Sequence, residues 1–376
     1  MLKTPLRFAG LTRYLVAVKA AILHGKELIR IEEVASLPLS PGEVRVRIEA
    51  ALTCGTDLKV FKRGYHAKMI VPPAVFGHEL AGVISEIAGG EAGSPVSDTG
   101  ASGKTPSDGW QIGDRVVPAN SAPCGGCFHC GVGQENICDD LLFLNGAYAE
   151  SIVVPARLAR KNLLRLKAGT DFTDAALTEP LACVVQGVDD TKLRAGQHVL
   201  VIGAGPIGLM FVALVRHLGC DVTVAGRRAA RLEAAQRLGS NQTIDIGDGR
   251  NLPAKIRAAT MTHFDVVIEA VGRPETWEAA VHLVRKGGTV NFFGGCPAGT
   301  TVSLDTTFIH YSDLTLLASF HHTPRAIRRA LEFIEAGVIH AGDFVDGECP
   351  LTQLPELFQK MAAGNHAIKT LIKVHE

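Results

Sequence analysis

Four closely spaced cysteines constrain the fold of this chain more than any other feature of its sequence. Cys124, Cys127, Cys130 and Cys138 are separated by gaps of two, two and seven residues, and the glycines among them free the backbone to wrap a small ion. Four sulfur ligands with no vacant position suit a structural zinc site, which holds a loop and does no chemistry. The sequence therefore predicts a zinc-bound lobe at about residues 120–140 and a catalytic site elsewhere.

Two other interpretations of the four cysteines stay open. They could form disulfides, or they could hold an iron–sulfur cluster, whose pattern also begins with two-residue gaps but closes with a three-residue gap and a proline. The chain has nine cysteines, an odd number, and residues 1–16 contain no sustained apolar segment typical of a secretory leader. Free and metal-bound thiols in a reducing cytoplasm are therefore expected.

Length and charge exclude several classes of protein. A chain of 376 residues favours two domains. Basic and acidic residues balance at 38 each and no basic stripe is visible, so a nucleic-acid partner is not expected. The sequence has no apolar run long enough to span a bilayer, so no membrane partner is expected either.

Two regions of the chain differ in their periodicity. From residue 18 to about 90, short apolar runs alternate with Gly and Pro, and Val44–Glu49 alternates strictly, as a half-buried strand does. Residues 89–109, rich in Gly, Ser, Asp, Thr and Pro, are predicted to form an exposed loop. After about residue 180, strands alternate with helices, which predicts a parallel, doubly wound α/β sheet. The strands are expected at 198–202, 222–225, 264–268 and 289–293.

A glycine-rich turn joins the first of these strands to a helix. Gly203 suits the tight turn, Gly205 lets the backbone approach a pyrophosphate, and Gly208 permits close packing of helix on sheet. The helix start, with Pro206 and Ile207, would then face the phosphates with its amides and its positive dipole end. This context predicts a dinucleotide site, and a glycine-rich turn without a ligand is the alternative.

The residues after the second strand of the sheet indicate which dinucleotide binds. An acidic residue there would bind the ribose 2′-hydroxyl of NAD. This sequence has Gly226, Arg227 and Arg228 instead, and two guanidinium groups suit a 2′-phosphate. NADP is therefore the predicted cofactor, with NAD as the second choice; the alternative is that both arginines are solvated residues at a helix start.

Chemistry requires a second metal site with a vacant position, and three separated segments supply candidate ligands. They contain Cys54, the pair His78 and Glu79, and Glu179. A thiolate, an imidazole and a carboxylate give zinc three protein ligands and leave a fourth position for water or substrate. Each residue alone is a weak signal, because a lone His or Cys is more often a buried structural residue, but their combination with the dinucleotide motif predicts a catalytic zinc.

Together, these motifs resemble those of the zinc-containing medium-chain alcohol dehydrogenases, and in particular the sorbitol (polyol) and threonine dehydrogenase branch. The resemblance covers about residues 18–374 and implies a GroES-like β-rich catalytic domain, a Rossmann domain with a doubly wound parallel sheet, and a homodimer or homotetramer. The matching motifs lie at 54–57, 77–79, 113–116, 124–138, 179–181 and 203–208. The implied limits are 18–182 for the catalytic domain, 183–315 for the Rossmann domain, and 316–376 for a C-terminal segment that returns to the catalytic domain.

The resemblance also implies how the metal ions are held, with two zinc ions per chain, one structural and one catalytic. Cys54 and His78 match zinc ligands of the family. Glu79 matches a carboxylate that either binds the zinc or lies behind a ligand. Glu179 matches the third protein position, which is glutamate in the polyol branch and cysteine in other members.

Residues of one short segment match the proton-handling groups of the family, with one departure. Thr56 matches the hydroxyl that bonds the substrate oxygen and starts proton release, and Asp57 matches an acidic partner that orients the ligand histidine. Many members have a histidine five residues after the ligand cysteine, where this chain has Lys59. The exit route of the proton is therefore open, and the loop at 89–109 is longer than is usual for the family.

The resemblance implies hydride transfer between NAD(P) and a secondary alcohol, with a ketone as the product. A polyol is the first choice of substrate, because Glu179 suits a hydroxyl-rich site; threonine and then simple alcohols or aldehydes are the alternatives. His321 and His322 are hypothesised to bond a substrate hydroxyl, the alternative being a surface turn before a helix at 325–335. From a different class, a non-catalytic protein that binds zinc and a nucleotide stays open.

Overall fold

The computed structural model describes residues 17–66, 68–88, 109–364 and 367–375. The predictions for residues 1–16 and for the loop at 89–109, apart from Gly109, lie outside the described residues. Within the described ranges, no helix combines the length and the apolar character needed to cross a bilayer.

The first half of the chain is built mainly from short strands. The strands are β1 (Ala17–Gly25), β2 (Leu28–Ala35), β3 (Val44–Leu52), β4 (Ala74–Val75), β5 (Glu79–Ile87), β6 (Arg115–Pro118), β7 (Ser121–Ala122), β8 (Leu142–Phe143), β9 (Ser151–Val154) and β10 (Leu163–Arg165). The helices are α1 (Gly55–Arg63), α2 (Phe128–Gly131), α3 (Ala156–Lys161), α4 (Phe172–Ala176) and α5 (Thr178–Thr191). As its alternation predicts, β3 buries Val44, Val46 and Ile48 on one face.

The second half alternates strands with helices before it ends in two further strands. The alternating part has strands β11 (His198–Ile202), β12 (Asp221–Gly226), β13 (Gln242–Asp245), β14 (Phe264–Glu269), β15 (Val284–Phe292) and β16 (Thr315–Ala318). Its helices are α6 (Pro206–His217), α7 (Ala229–Arg237), α8 (Leu252–Ala259), α9 (Pro274–Val281) and α10 (Thr306–Tyr311). The last elements are α11 (Pro324–Glu335), β17 (Val345–Pro350), α12 (Leu354–Ala362) and β18 (Lys369–Lys373).

The alternating part forms one parallel six-stranded sheet in the order β13-β12-β11-β14-β15-β16. Apolar residues of β11 explain the position of this sheet. Val199 and Val201 join the core on one face, while Leu200 and Ile202 join the core on the other. A strand that is buried on both faces reads as a continuous apolar run rather than an alternating one. The predicted fold class, a β-rich domain with a doubly wound parallel-sheet domain, is confirmed.

The end of the chain completes the main sheet of the β-rich part. That sheet runs β10-β6-β5-β3-β18-β17, and β9 also pairs with β3. Because β18 pairs antiparallel with β3, residues from the C-terminal segment lie beside residues from the first sixty of the chain. Helix α5 runs through residue 182, and β16 continues to Ala318 within the parallel sheet, so the domain limits at 182 and 315 stay predictions.

Replacing Gly208 by Ala tests how closely α6 packs on the turn that precedes it. A Cβ atom at Gly208 would overlap the carbonyl oxygen of Gly203, so a loss of about 1–3 kcal/mol in unfolding free energy is expected. Gly205→Ala is the matched control, since a Cβ there meets no atom of the described chain within 4 Å. Chemical denaturation measures both variants, and equal losses would contradict the described packing.

Candidate metal centres and dinucleotide cleft

The four-cysteine lobe has the geometry of a closed metal site. The Sγ atoms of Cys124 and Cys130 are 4.0 Å apart, and those of Cys127 and Cys138 are 3.7 Å apart. A tetrahedral zinc with sulfur at about 2.3 Å requires sulfur–sulfur distances of about 3.8 Å. All nine cysteines lie in the described part of the chain and none forms a disulfide. The residues present therefore fit a zinc ion.

Backbone amides of the same lobe donate hydrogen bonds to the sulfur atoms. The N–H of Cys124 donates to Cys138 at 3.2 Å, and the N–H groups of Gly125 and Gly126 donate to Cys130 and Cys124, each at 3.3 Å. Such bonds favour the thiolate form. The Gly126 amide is the main cause that lowers the pKa of Cys124 to about 6, whereas burial raises the pKa of Cys130 to about 12 against the effect of the Gly125 amide. Thiolates are the form that binds metal.

A second group of ligand types lies at the junction of α1 and β5. The ligand atoms of Cys54, His78 and Glu79 all lie within 4.8 Å of one another. Cys54 precedes the first residue of α1 and its sulfur accepts a hydrogen bond from the backbone amide of Thr56 at 3.4 Å. The predicted catalytic residues from these two segments thus meet in space, and Thr56 itself is exposed at the start of the helix.

A chain of hydrogen bonds fixes the imidazole ring of His78. Its Nδ1–H donates to Oδ1 of buried Asp57 at 3.0 Å, and the hydroxyl of Tyr148 donates to the other carboxylate oxygen of Asp57 at 2.6 Å. Burial alone would lower the pKa of His78, but Asp57 and Cys54 raise it well above its usual value. The arrangement leaves Nε2 as the nitrogen available to a metal, and orienting a ligand histidine in this way is common in zinc sites.

The carboxylate of Glu79 is held by a cation that the sequence analysis did not identify. Lys369 of β18 forms a buried ion pair with Oε2 of Glu79 and also donates to the backbone oxygen of Thr53 at 3.0 Å. Burial raises the pKa of Glu79, and Lys369 opposes that rise. No hydrogen-bond donor among the described residues reaches Oε1, which is buried. That oxygen fits a metal ligand.

Glu179 lies close to two other residues with metal-ligand side chains. It is buried in the first turn of α5, and its carboxylate lies within 4.8 Å of ligand atoms of Cys183 and His321. Burial raises the pKa of Glu179 to about 7, while His78 acts in the opposite direction. The predicted role of Glu179 as a catalytic zinc ligand stays a prediction.

The two histidines that follow β16 bond to polar groups just before and within β7. His322 is 2% exposed, and its Nε2–H donates to Oδ1 of Asn120 at 2.9 Å. Nε2 of His321 shares a hydrogen bond of 2.6 Å with the hydroxyl of Ser121. Burial lowers the pKa of His321 to about 3 and also depresses the pKa of His322. Both rings are therefore neutral polar groups. Their role toward a substrate stays a prediction.

A cleft of about 920 Å³ opens at the carboxyl ends of β11 and β12. Gly203 and Gly205 line it, and α6 begins there with Pro206, so the predicted glycine turn lies at the cleft. Among its other lining residues are five arginines, Arg227, Arg228, Arg231, Arg250 and Arg273. Sequence reasoning missed Arg231, although it lies one helical turn beyond Arg228. A helix N-terminus beside guanidinium groups suits a phosphorylated ligand.

Comparison with known proteins matches both halves of the chain. Residues 40–163 match the alcohol dehydrogenase GroES-like domain, and residues 206–336 match the zinc-binding dehydrogenase domain. The chain is 32% identical to D-altritol 5-dehydrogenase of Agrobacterium fabrum, over 89% of this chain and 93% of that protein. It is 27% identical to sorbitol dehydrogenase of Bacillus subtilis, over 94% and 97% of the two chains.

Solved structures agree with this comparison. A protein described as a zinc-binding dehydrogenase from Sinorhizobium meliloti 1021, bound to NADP, has a TM-score of 0.82 and 28% identity, covering 95% of this chain and 99% of that chain. The alcohol dehydrogenase TADH from Thermus sp. ATN1 has a TM-score of 0.80 and 28% identity, with coverage of 95% and 100%. The chain belongs to the zinc-containing medium-chain alcohol dehydrogenases. The resemblance to the polyol branch and the prediction of an oxidoreductase are confirmed.

Replacing Lys369 of this dehydrogenase by Met is expected to destabilise the fold, because Glu79 would stay buried without its cation. Removing one partner of a buried ion pair costs about 3–5 kcal/mol of unfolding free energy. Lys373→Met is the matched control: its side chain is 51% exposed on the same strand, and a loss of no more than about 0.5 kcal/mol is expected. Chemical denaturation of the two variants at equal zinc content measures both unfolding free energies. A loss for Lys369→Met as small as that for Lys373→Met would argue against the buried ion pair.

Proposed function

We propose that the protein interconverts a hydroxyl-rich secondary alcohol, of polyol type, and its ketone, with NADP as the preferred hydride carrier. The observation that carries this proposal is the buried group of Cys54, His78 and Glu79, whose ligand atoms lie within 4.8 Å. Three mixed ligands are the number that leaves zinc an open position for a substrate. The lobe at 120–140, with four sulfur atoms, is proposed to hold the structural zinc instead.

The residues of the catalytic group would each do a distinct task. Cys54, His78 and Glu79 would hold a zinc ion, which when bound supplies Lewis-acid polarisation of the substrate oxygen. Asp57 keeps the His78 ring in the tautomer that presents Nε2. Lys369 balances the buried charge of Glu79, so the site does not carry an excess of negative charge next to the dinucleotide.

Proton transfer is assigned to the exposed face of α1. Thr56 is the proposed acceptor of the hydroxyl proton of the substrate. Lys59 follows three residues later, and both side chains are exposed, so they share one face of the helix. Burial raises the pKa of Glu269 at the end of β14, and the charge of Lys59 acts against that rise. Because the side chains of Thr56 and Lys59 are exposed, a proton leaving Thr56 is proposed to reach solvent along this face.

A polar lining supports a substrate with several hydroxyl groups. Asn120, Ser121, His321 and His322 bond to one another in pairs at 2.9 Å or less, next to Glu179. Neutral imidazole, amide and hydroxyl groups can both donate and accept hydrogen bonds, which matches the hydroxyl groups of a polyol. The related proteins named sorbitol dehydrogenase and D-altritol 5-dehydrogenase support the same substrate class.

The proposed preference for NADP rests on the end of β12. Gly226 occupies the place where a carboxylate would bind the ribose of NAD, and a Cβ there would meet Ala204 at 2.6 Å. Exposed Arg227 and Arg228 follow at the rim of the cleft. Their guanidinium groups suit a 2′-phosphate. The NADP that is bound to the similar protein from Sinorhizobium meliloti supports this choice.

We further propose that the protein acts in the cytoplasm as a homodimer or homotetramer. Nine unbridged cysteines suit a reducing compartment. The exposed apolar side chains of Phe128, Val132 and Ile137 in the four-cysteine lobe support an association of chains.

A screen of polyols, threonine and simple alcohols with both cofactors tests the proposed function. Turnover is followed by the absorbance of the reduced nicotinamide. The highest kcat/KM is expected for a polyol with NADP. A preference for threonine or a simple alcohol would overturn the substrate class, and the absence of turnover with two zinc ions bound would favour a non-catalytic nucleotide-binding protein.

Replacing Arg227 by Ala is expected to raise the KM for NADP at least tenfold and leave the KM for NAD within about twofold. The loss of one charge-assisted hydrogen bond to the 2′-phosphate, worth about 1.5–3 kcal/mol, explains the direction and size. Arg237→Ala is the matched control, because Arg237 is exposed at the end of α7, the helix that follows Arg227. If Arg227→Ala weakened the binding of NADP and NAD equally, the assignment of Arg227 to the 2′-phosphate would be wrong.

A further inference from the structure

The turn that follows β14 forms part of the wall of the dinucleotide cleft, and a buried carboxylate lies beneath it. We propose that Glu269 is a positioning residue for the cofactor: its carboxylate holds residues 270–273 in the form that receives the dinucleotide beside the glycine turn. The inference rests on the proposed use of NADP or NAD, and it does not depend on the identity of the substrate.

Neutral donors from the next seven residues surround the carboxylate of Glu269. The residue ends β14 and is 0% exposed. Oε1 accepts hydrogen bonds from the N–H of Val271 at 2.9 Å and from the hydroxyl of Thr276 at 2.7 Å. The N–H of Gly272 approaches both carboxylate oxygens, at 3.0 and 3.1 Å. These bonds offset the cost of burying the carboxylate and fix the turn around it.

The turn that Glu269 holds lies directly against the glycine turn. A Cβ atom on Gly203 would come within 3.0 Å of Cγ2 of Val271 and within 3.2 Å of the carbonyl oxygen of Ala270. The N–H of Ala270 donates to the carbonyl oxygen of Ile202 at 2.9 Å. Residues on both sides of this contact line the same cleft, namely Gly203, Gly205, Ala270, Val271, Arg273 and Thr276. A shift of the turn at 270–273 would therefore change the shape of the cleft.

Close packing against the turn after β15 leaves the carboxylate little freedom to move. Gly272 has a φ of +78°, and a Cβ atom there would lie 2.5 Å from the carbonyl oxygen of Gly295. A Cβ atom on Gly294 would lie 2.7 Å from Oε2 of Glu269. The N–H groups of Phe293 and Gly294 donate to the backbone oxygen of Glu269 at 3.0 and 2.8 Å. Through its backbone and its carboxylate, Glu269 joins the turns after β14 and β15.

The order of the strands places this wall where an open α/β sheet binds its ligand. In the order β13-β12-β11-β14-β15-β16, the chain reverses its direction of growth between β11 and β14. Ligands of such sheets bind at the carboxyl ends of the strands, at the point of reversal. Glu269 pairs in register with Ile202, the last residue of β11. The carboxylate therefore acts from the opposite side of β11 to β12, where the 2′-phosphate is proposed to bind.

The dissociation constants of NADPH and NADH, measured by fluorescence titration of the zinc-loaded protein without substrate, test the proposal. Glu269→Gln keeps the volume of the side chain, but either orientation of its amide places an NH2 group against the N–H of Gly272. Both dissociation constants are expected to rise by the same factor, about tenfold, because the turn serves both cofactors alike. Thr276→Val removes one donor to the carboxylate and is expected to raise both about threefold.

Asp265→Asn is the matched control near the amino end of the same strand. The carboxylate of Asp265 also accepts a backbone N–H, from His198 at 2.8 Å, and it pairs with Arg285. A general loss of stability would affect this variant as well. Because ligands bind at the other end of the sheet, both dissociation constants are expected to stay within about twofold of the wild-type values.

The positioning role would be overturned by unchanged dissociation constants in Glu269→Gln and Thr276→Val, by an equal rise in Asp265→Asn, or by a rise for NADPH alone. If Glu269→Gln does not fold, the comparison of Thr276→Val with Asp265→Asn decides by the same criteria. These readouts need neither substrate nor turnover. A protein that binds both dinucleotides but turns over no polyol would therefore contradict the proposed reaction and leave the role of Glu269 in place.

Discussion

The ion pair between Lys369 and Glu79 connects the last strand of the chain to the catalytic metal group. The two residues are separated by 290 positions in sequence, and both are buried. Glu79 is the first residue of β5, and Lys369 of β18 supplies a cation that offsets the cost of burying its carboxylate. The catalytic domain is therefore incomplete without the C-terminal strand β18, which lies beyond the parallel sheet in the sequence.

The four-cysteine lobe and the catalytic group differ in how the chain assembles their ligands. The four cysteines lie within fifteen residues, and amides of the same turn stabilise their sulfur atoms, so that lobe needs little from the rest of the protein. The catalytic group is assembled from α1, β5 and β18, with mixed donors and an oxygen of Glu79 left without a partner among the described residues. The first arrangement closes around an ion, and the second leaves room for a substrate.

Sequence reasoning succeeded where function depends on short spacings. The cysteine gaps, the turn at 203–208 and the alternation of β3 each express a local rule, and the structure follows them. It missed Lys369 and Tyr148, because their partners lie far away along the chain and no local pattern marks them. No local pattern distinguishes Lys369 from Lys373 at the two ends of β18, although only Lys369 is buried.

Spacing on a helix also held information that was not used. Cys183 is four residues after Glu179, and this alone places the two side chains on one face of α5. Sequence reasoning grouped Glu179 with Cys54 and His78, and the structure also brings its carboxylate within 4.8 Å of ligand atoms of Cys183 and His321. The contribution of His321 depends on a left-handed backbone conformation after β16, which the sequence does not reveal because the residue is not a glycine.

Anomalous diffraction at the zinc edge, from crystals grown without added zinc, is the most direct test of the division between the two metal positions. Two peaks per chain are expected, one among the four cysteines and one bounded by Cys54, His78 and Glu79. A peak at the cysteines alone, or a second peak away from that group, would contradict the account.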